Sequence, residues 1–378
     1  MQLLKAHLAV VGAGIMGLAH AYAAAKRGKS VVVFERSIRA SGASIRNFGM
    51  VWPIGQPHGE LHQLALSSRA QWIEVLDQAR LPYRPDGSLH VVYHEDEANV
   101  AREFAELAPG LGYDCQWLDA HQILQKSGAV KSQGLQGGIW SSTELTVDPP
   151  KTLAALPEFL EEKFGVIFRF GCPVRSVDLP VIETGIEKWQ VDRAIVCGGE
   201  DFETLYPEVF KTSGLTRVKL QMLRTVAQPN TWQLGPALAA GLTLRFYPAF
   251  QVCKSLAALK ERFNRETPEY DQWAIHGLVS QTARGELTLG DSHEYGLTVD
   301  IFNKEEVDNL ILRYLATFLC APDMTIAQRW YGVYAKHPNE PYLSLNPAPG
   351  VSIVTSPGGS GMTLSFGIGE KTLEHMEW

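Results

Sequence analysis

Residues 8–36, LAVVGAGIMGLAHAYAAAKRGKSVVVFER, restrict the fold more than any other stretch of this sequence. Leu8 to Val11 is a β-branched run that reads as a strand, and a helix is expected from about Ile15 to Arg27. Gly28 stops that helix, SVVVF forms a second strand, and Glu35 closes it 18 residues after Gly17. Between strand and helix, Gly12, Gly14 and Gly17 keep GxGxxG spacing. Gly12 permits the tight turn, Gly14 lets the backbone approach a pyrophosphate, and Gly17 lets the helix pack close on the strand. The helix N-terminus at Ile15 and Met16 offers free N–H groups and a partial positive charge to phosphates. Glu35 is placed to accept from both ribose hydroxyls. Glycines alone carry little, but strand, glycines, helix, second strand and terminal acid agree on a dinucleotide. Arg36, beside Glu35, leaves room for a 2′-phosphate.

The same run raises the question of a secretion signal, with Lys5 ahead of it. Three glycines interrupt it, and His20, Lys26 and Arg27 follow without a small-residue cleavage site. SVVVF would have no purpose in a cleaved leader. No run reaches the roughly 18–20 apolar residues of a membrane span, so a soluble, cytoplasmic protein is expected. The 378 residues allow two domains, and a formal charge of −7 argues against nucleic acid or an anionic membrane as partner. Cys115, Cys172, Cys197, Cys253 and Cys320 are odd in number, widely spaced and without a CxxC, which suits reduced thiols. The histidines are scattered and form no HExxH, so no metal is expected.

A nicotinamide dehydrogenase would continue with βαβ units after Glu35. Here a long Gly/Ser/Pro-rich segment follows instead, SIRASGASIRNFGMVWPIGQPHG, then a helix from about Leu61 to Arg80, a strand-like GSLHVVYHE and an acidic helix near 95–108. Strand-to-glycine units return only at 192–201 (DRAIVCGGED) and 350–376 (GVSIVTSPGGSGMTLSFGIGEKTLEHM). The nucleotide domain is therefore interrupted by another.

These features, with VDPPKTLAAL at 147–156, resemble the flavoprotein family of D-amino-acid oxidase, glycine oxidase and sarcosine oxidase. The resemblance spans nearly the whole chain. It implies an α/β fold in which a Rossmann-like FAD-binding domain (1–80, 145–205, 325–378) interleaves with an antiparallel-sheet substrate domain (81–144, 206–324). It further implies that Ser44, Arg46 and Asn47 contact the pyrophosphate and flavin edge, and that Val174 in CPVRSV meets the adenine. Gly198 and Gly199 would border the nucleotide. Gly358, Gly359 and Gly361 would turn over the isoalloxazine, with Met362 and Thr363 opening a helix aimed at its pyrimidine side.

Such enzymes move a hydride from a carbon bearing nitrogen to the flavin, pass electrons to O2 or another acceptor, and release an imine that hydrolyses. Where the glycine and D-amino-acid oxidases have an arginine after WxG, this chain has Tyr334 in WYGVY. No cysteine lies nearby to link the flavin, so FAD is expected to be non-covalent. The wording of residues 17–56 and 358–370 is most similar to a clade associated with bacterial aminophosphonate catabolism. That resemblance implies a small aminophosphonate substrate, with Arg46, Tyr334, Lys336 and His337 as its grip and Trp52 and Trp330 as pocket walls. Arg46 and Tyr334 are the candidates for a catalytic part. The alternatives are a glycine- or sarcosine-type substrate, a nicotinamide dehydrogenase, or a flavin-containing subunit without a free substrate.

The middle of the chain carries strand-like runs at 217–228, 242–250, 273–281 and 286–296, expected to form one antiparallel sheet. In the last of these, His293 is a further candidate near substrate, with a structural role as the alternative. Apolar residues at 307, 310, 311, 314, 315 and 318 form one face of an amphipathic helix.

Overall fold

The structure, a computed structural model, describes residues 3–376. Its first strand, Leu3–Val11, lies between Val31–Glu35 and Lys188–Val196, parallel to both. A strand paired on both edges and covered on both faces must be apolar, so Leu8, Ala9, Val10 and Val31–Val33 are buried. The N-terminal half of this strand alternates exposed and half-buried residues, and no apolar run marks it. Ile167–Phe170 adds in parallel beyond Val31–Glu35. Val351–Thr355 adds in parallel beside Lys188–Val196, completing with three antiparallel neighbours an eight-stranded sheet. The helices Ile15–Lys26, Gly361–Glu374 and Glu60–Ala79 pack in series. Trp72 locks the last two together by donating its indole N–H to Met362 O at 2.7 Å.

The second sheet has nine strands. Its spine is Thr216–Ala227, paired along one edge with Ile326–Lys336. Glu286–Gly290 and Glu294–Gly296 share the other edge. Between these two the ladder is broken at 291–293, and the Ser292 hydroxyl accepts from Gln221 N at 3.1 Å in place of a backbone partner. This break opens onto the cleft described below.

Several expectations need correction. The run 286–296 is two strands, and the sheet expected to be antiparallel contains a parallel pair, Ala237–Ala240 beside Ser88–Val92. Residues 242–250 are not a strand but two 3-10 turns, Gly241–Arg245 and Pro248–Val252. Leu242 N–H is satisfied by Tyr314 Oη at 2.7 Å rather than by a neighbouring strand, and Pro248 has no N–H to give. The strand there is the inconspicuous Ala237–Ala240, buried at every position. Within 273–281 only Leu278–Gln281 is strand, Ala274 being left-handed at φ 40°. Finally, Ile326–Lys336, assigned above to the FAD-binding half, belongs to the second sheet through its long pairing with Thr216–Ala227.

Beneath the turn Pro53–Gly55, Glu144 is fully buried. It accepts from Ile54 N (3.0 Å), Ser88 Oγ (2.9 Å) and Thr143 Oγ1 (2.8 Å). Burial pushes its carboxyl above the usual range. Glu144→Leu strands the Ile54 and Ser88 donors, each worth about 1–3 kcal/mol when left unpaired. A loss of roughly 3 kcal/mol is expected, seen as a lower urea midpoint with unchanged slope.

Candidate active site

Between the two sheets runs a cleft of about 1200 Å3. Its narrow end is built on the first βαβ unit. Gly12 sits at φ 105°, and a Cβ there would stand 2.4 Å from Cys197 O. A Cβ on Gly17 would stand 1.8 Å from Gly12 O. The turn therefore admits only glycine at both places, and the space above it stays open to a ligand. Gly17 does not line the cleft; it backs the turn.

Ser44 reaches over this end, and its hydroxyl accepts from Ile15 N at 2.9 Å. The Glu35 carboxylate accepts from Ala13 N (3.0 Å) and Ser37 N (2.9 Å). Gly14, Met16, Val174, Gly198 and Gly199 complete the walls. Arg36 is ion-paired with Asp201 at 2.6 Å. Cys172 and Cys197 also line this end, which no spacing in the sequence indicated. Burial pushes the Cys197 thiol up to about 12, so it stays protonated. Glycine turns, a helix N-terminus and a strand-end carboxylate together fit the ADP half of a dinucleotide.

The wide end lies where the C-terminal glycines meet the second sheet. Gly358 is left-handed at φ 54°, and a Cβ on Gly359 would stand 3.5 Å from Tyr334 Oη. Gly361 and Met362 open the last helix, and Thr363 accepts from Trp52 N at 2.9 Å, fixing the Trp52 loop to it. Trp52 is buried along the cleft, with its indole N–H unpartnered. Asn47 lines the cleft, but its amide folds its own loop. It donates to Ala43 O and Ser44 O at 3.0 Å each and accepts from Gly49 N at 2.7 Å.

Arg46 lines both this cleft and a shallow surface depression behind it, and donates to Tyr331 O at 3.3 Å. Trp330 is not a wall of the cleft. It shares a strand face with Tyr334, but the Arg46 loop crosses that face at Gly332, where a Cβ would stand 3.4 Å from Arg46 O. Tyr334 is left on the cleft side of the crossing. Trp330 falls on the far side, donating to Arg46 O at 3.2 Å beneath the Arg224 guanidinium. Lys336 lines the cleft with its ammonium 3.3 Å from Tyr295 Oη. His337 also lines it, yet its Nδ1 accepts from Asn339 N (3.2 Å) and Glu340 N (2.8 Å), holding a turn.

Three further residues of the wide end escaped the sequence reading: Tyr247, His276 and Asp291. All come from irregular backbone, so no periodicity marks them. His276 and His293 lie side by side, ring centroids 4.7 Å apart, and Phe246 stacks on His276. Burial pushes both histidines down, His293 to about 4, and the Lys336 charge adds to this. Both are neutral at neutral pH. Burial also raises Tyr334 and Tyr247, with the Asp291 carboxyl contributing to each.

A dinucleotide cradle joined to a pocket walled by a second sheet is the layout of a protein that holds a nucleotide cofactor beside a small ligand. The chain belongs to the DAO family, described as FAD dependent oxidoreductase, which matches residues 7–375. Glycine oxidase of Geobacillus kaustophilus is 28% identical over 157 residues, covering 39% of this chain and 42% of that protein's length. The crystal structure of glycine oxidase from that organism superposes with a TM-score of 0.77 at 19% identity, covering 99% of this chain and 96% of the other. L-proline dehydrogenase from P. horikoshii gives 0.75 at 17% identity, covering 99% and 93%. At such identities the structural likeness speaks to the fold.

Proposed function

We propose that this chain oxidises the carbon–nitrogen bond of a small amine, an aminophosphonate such as 2-aminoethylphosphonate or its N-methyl or hydroxylated relative. Bound FAD, held non-covalently, supplies the hydride acceptor, and hydrolysis of the resulting imine gives phosphonoacetaldehyde or an analogue. One observation carries the substrate class: two cations at the wide end have no carboxylate partner among the described residues. Arg46 donates to a backbone carbonyl and Lys336 to a phenol. The other cleft arginines, Arg36 and Arg217, are committed to Asp201 and to Glu200 and Glu203. A phosphonate, with up to two charges and three acceptor oxygens, suits separate cations and the Tyr334 hydroxyl better than a single planar fork. A glycine- or sarcosine-type amino acid is the second reading, favoured by the glycine oxidases among the relatives.

An anaerobic titration separates the two. Bleaching of the flavin band by 2-aminoethylphosphonate or its N-methyl derivative, but not by glycine or sarcosine, is expected; the reverse pattern moves the reading to amino-acid oxidation. Arg46→Ala and Tyr334→Phe each remove a contact to the acid group, so the apparent KM should rise about tenfold or more, and in Tyr334→Phe the FAD content should stay unchanged. Unaltered kinetics in both variants would remove these residues from the substrate site.

A further inference from the structure

Asp291 lies in the break of the second sheet, between Glu286–Gly290 and Glu294–Gly296, and lines the cleft. It is 5% exposed. Its Oδ1 is closed off from solvent and has no hydrogen-bond partner, and the carboxyl forms no ion pair among the described residues. A fold does not leave a carboxyl in that condition without cost, because a buried charge needs a partner. Its own backbone N–H is turned toward the carboxyl, but the side chains around it offer no partner. Tyr247 and Tyr334 are near enough for its charge to act on them, and both phenols stay protonated. Beside them are the neutral rings of His276, whose backbone N–H donates to Asp291 O at 2.8 Å, and His293. Phe48 packs on the preceding Gly290, at 3.4 Å from a Cβ built there. The Lys336 ammonium, 3.3 Å from Tyr295 Oη, makes no ion pair with Asp291, and Glu144, which like Asp291 acts on Tyr247, is itself a carboxyl. Only the charged form of this carboxyl needs a counter-charge, and the open side from which a cation could reach it is the cleft.

Resting on the amine-oxidising reading above, we infer that Asp291 receives the substrate's ammonium group and takes one of its protons before oxidation. The substrate enters as R–CH2–NH3+. One N–H bond breaks and its proton passes to Asp291 Oδ1, giving a carboxylic acid and a free amine. With FAD bound, the freed lone pair would let the adjacent carbon give up a hydride, with its two electrons, to that acceptor, and water would hydrolyse the iminium left behind. The step needs the carboxylate form. Burial pushes the Asp291 carboxyl up to about 8, so that form grows as pH rises through this value. At the opposite end of the substrate, Arg46 and Lys336 meet the acid group.

The test is anaerobic stopped-flow reduction of the FAD-loaded protein from pH 6 to 10.5, using whichever of 2-aminoethylphosphonate, its N-methyl derivative, glycine or sarcosine bleaches the wild type. The wild-type second-order reduction constant should rise with a midpoint near pH 8. In Asp291→Asn the midpoint should move to the amine's own pKa, near 10 as for a lysine amine. Reduction at pH 7.5 should fall about 100-fold, and Asp291→Glu should recover part of it. Perturbation of the flavin spectrum by ethylphosphonate, which lacks the amine, should be the same in Asp291→Asn and wild type. A wild-type profile without the limb near pH 8, which needs no variant to measure, overturns the inference, as does an Asp291→Asn profile that superposes on it. If no amine bleaches the wild type, the proposed function falls and takes this inference with it. Reduction that is indifferent to Asp291 overturns the inference alone.

Discussion

Gly17→Ala should leave the protein unable to retain FAD and destabilise it by about 4 kcal/mol or more, the range reserved for clashes that cannot relax. The added methyl would stand 1.8 Å from Gly12 O and 3.0 Å from Gly12 C, with Val10 Cγ1 at 3.3 Å behind. Two of these are backbone atoms, so no rotamer change relieves them. The helix Ile15–Lys26 must move away from the strand, and the turn at Gly12 loses the support that shapes it. Gly110→Ala places the same methyl on the helix Glu95–Leu111, where it meets nothing within 4 Å. That change should stabilise by up to about 1 kcal/mol, the ordinary helix preference of alanine over glycine. Thermal midpoints and the ratio of flavin to protein absorbance measure both. Equal behaviour of the two variants would show that the turn is not held by this contact.

Acid should destabilise the protein as pH falls below about 6.5, through histidines kept neutral by burial. His20 and His90 are both fully buried. His20 lies between Met16 O (2.6 Å) and Thr372 Oγ1 (3.2 Å), and burial pushes it down to about 4. His90, with neither ring nitrogen partnered among Trp52, Tyr247 and Phe250, goes to about 3. In the unfolded chain both titrate near 6.5. Above that pH neither form binds protons and stability is complete. Below it the unfolded chain takes up protons that the folded one refuses, so stability falls until the folded values are reached. By pH 5 each histidine costs about 2 kcal/mol by this linkage, a large share of the 5–15 kcal/mol typical of a folded protein. Urea unfolding at pH 7.5 and pH 5 should show the loss, and His90→Phe should remove about half of the part due to these two rings. A pH dependence unchanged in His90→Phe would clear that residue.

Local rules made much of this fold legible. The helix Glu305–Phe318 buries Val307, Leu310, Ile311, Tyr314, Leu315 and Phe318, the face its apolar period marks out. Ile15–Lys26, Val31–Glu35 and the glycine turn follow equally directly, because helix period, strand composition and GxGxxG spacing all act within about 30 residues. Where a segment's hydrogen bonds were satisfied from outside its own neighbourhood, the same rules misled. LTLRFYPAF alternates like a strand, yet the Tyr314 hydroxyl takes up its backbone N–H.

The nucleotide-binding unit and the family could be read from the order of residues alone. Which side chains share the wide end of the cleft is a matter of long-range packing. Trp330 and Tyr334 stand on one strand face four residues apart, and a loop from residue 46, crossing at Gly332, sends one outside and leaves the other within. Asp291, His276 and Tyr247 meet there from three irregular segments. Such a meeting has no period to announce it. It depends on where strands end and loops cross, which long-range packing sets and short-range spacing does not.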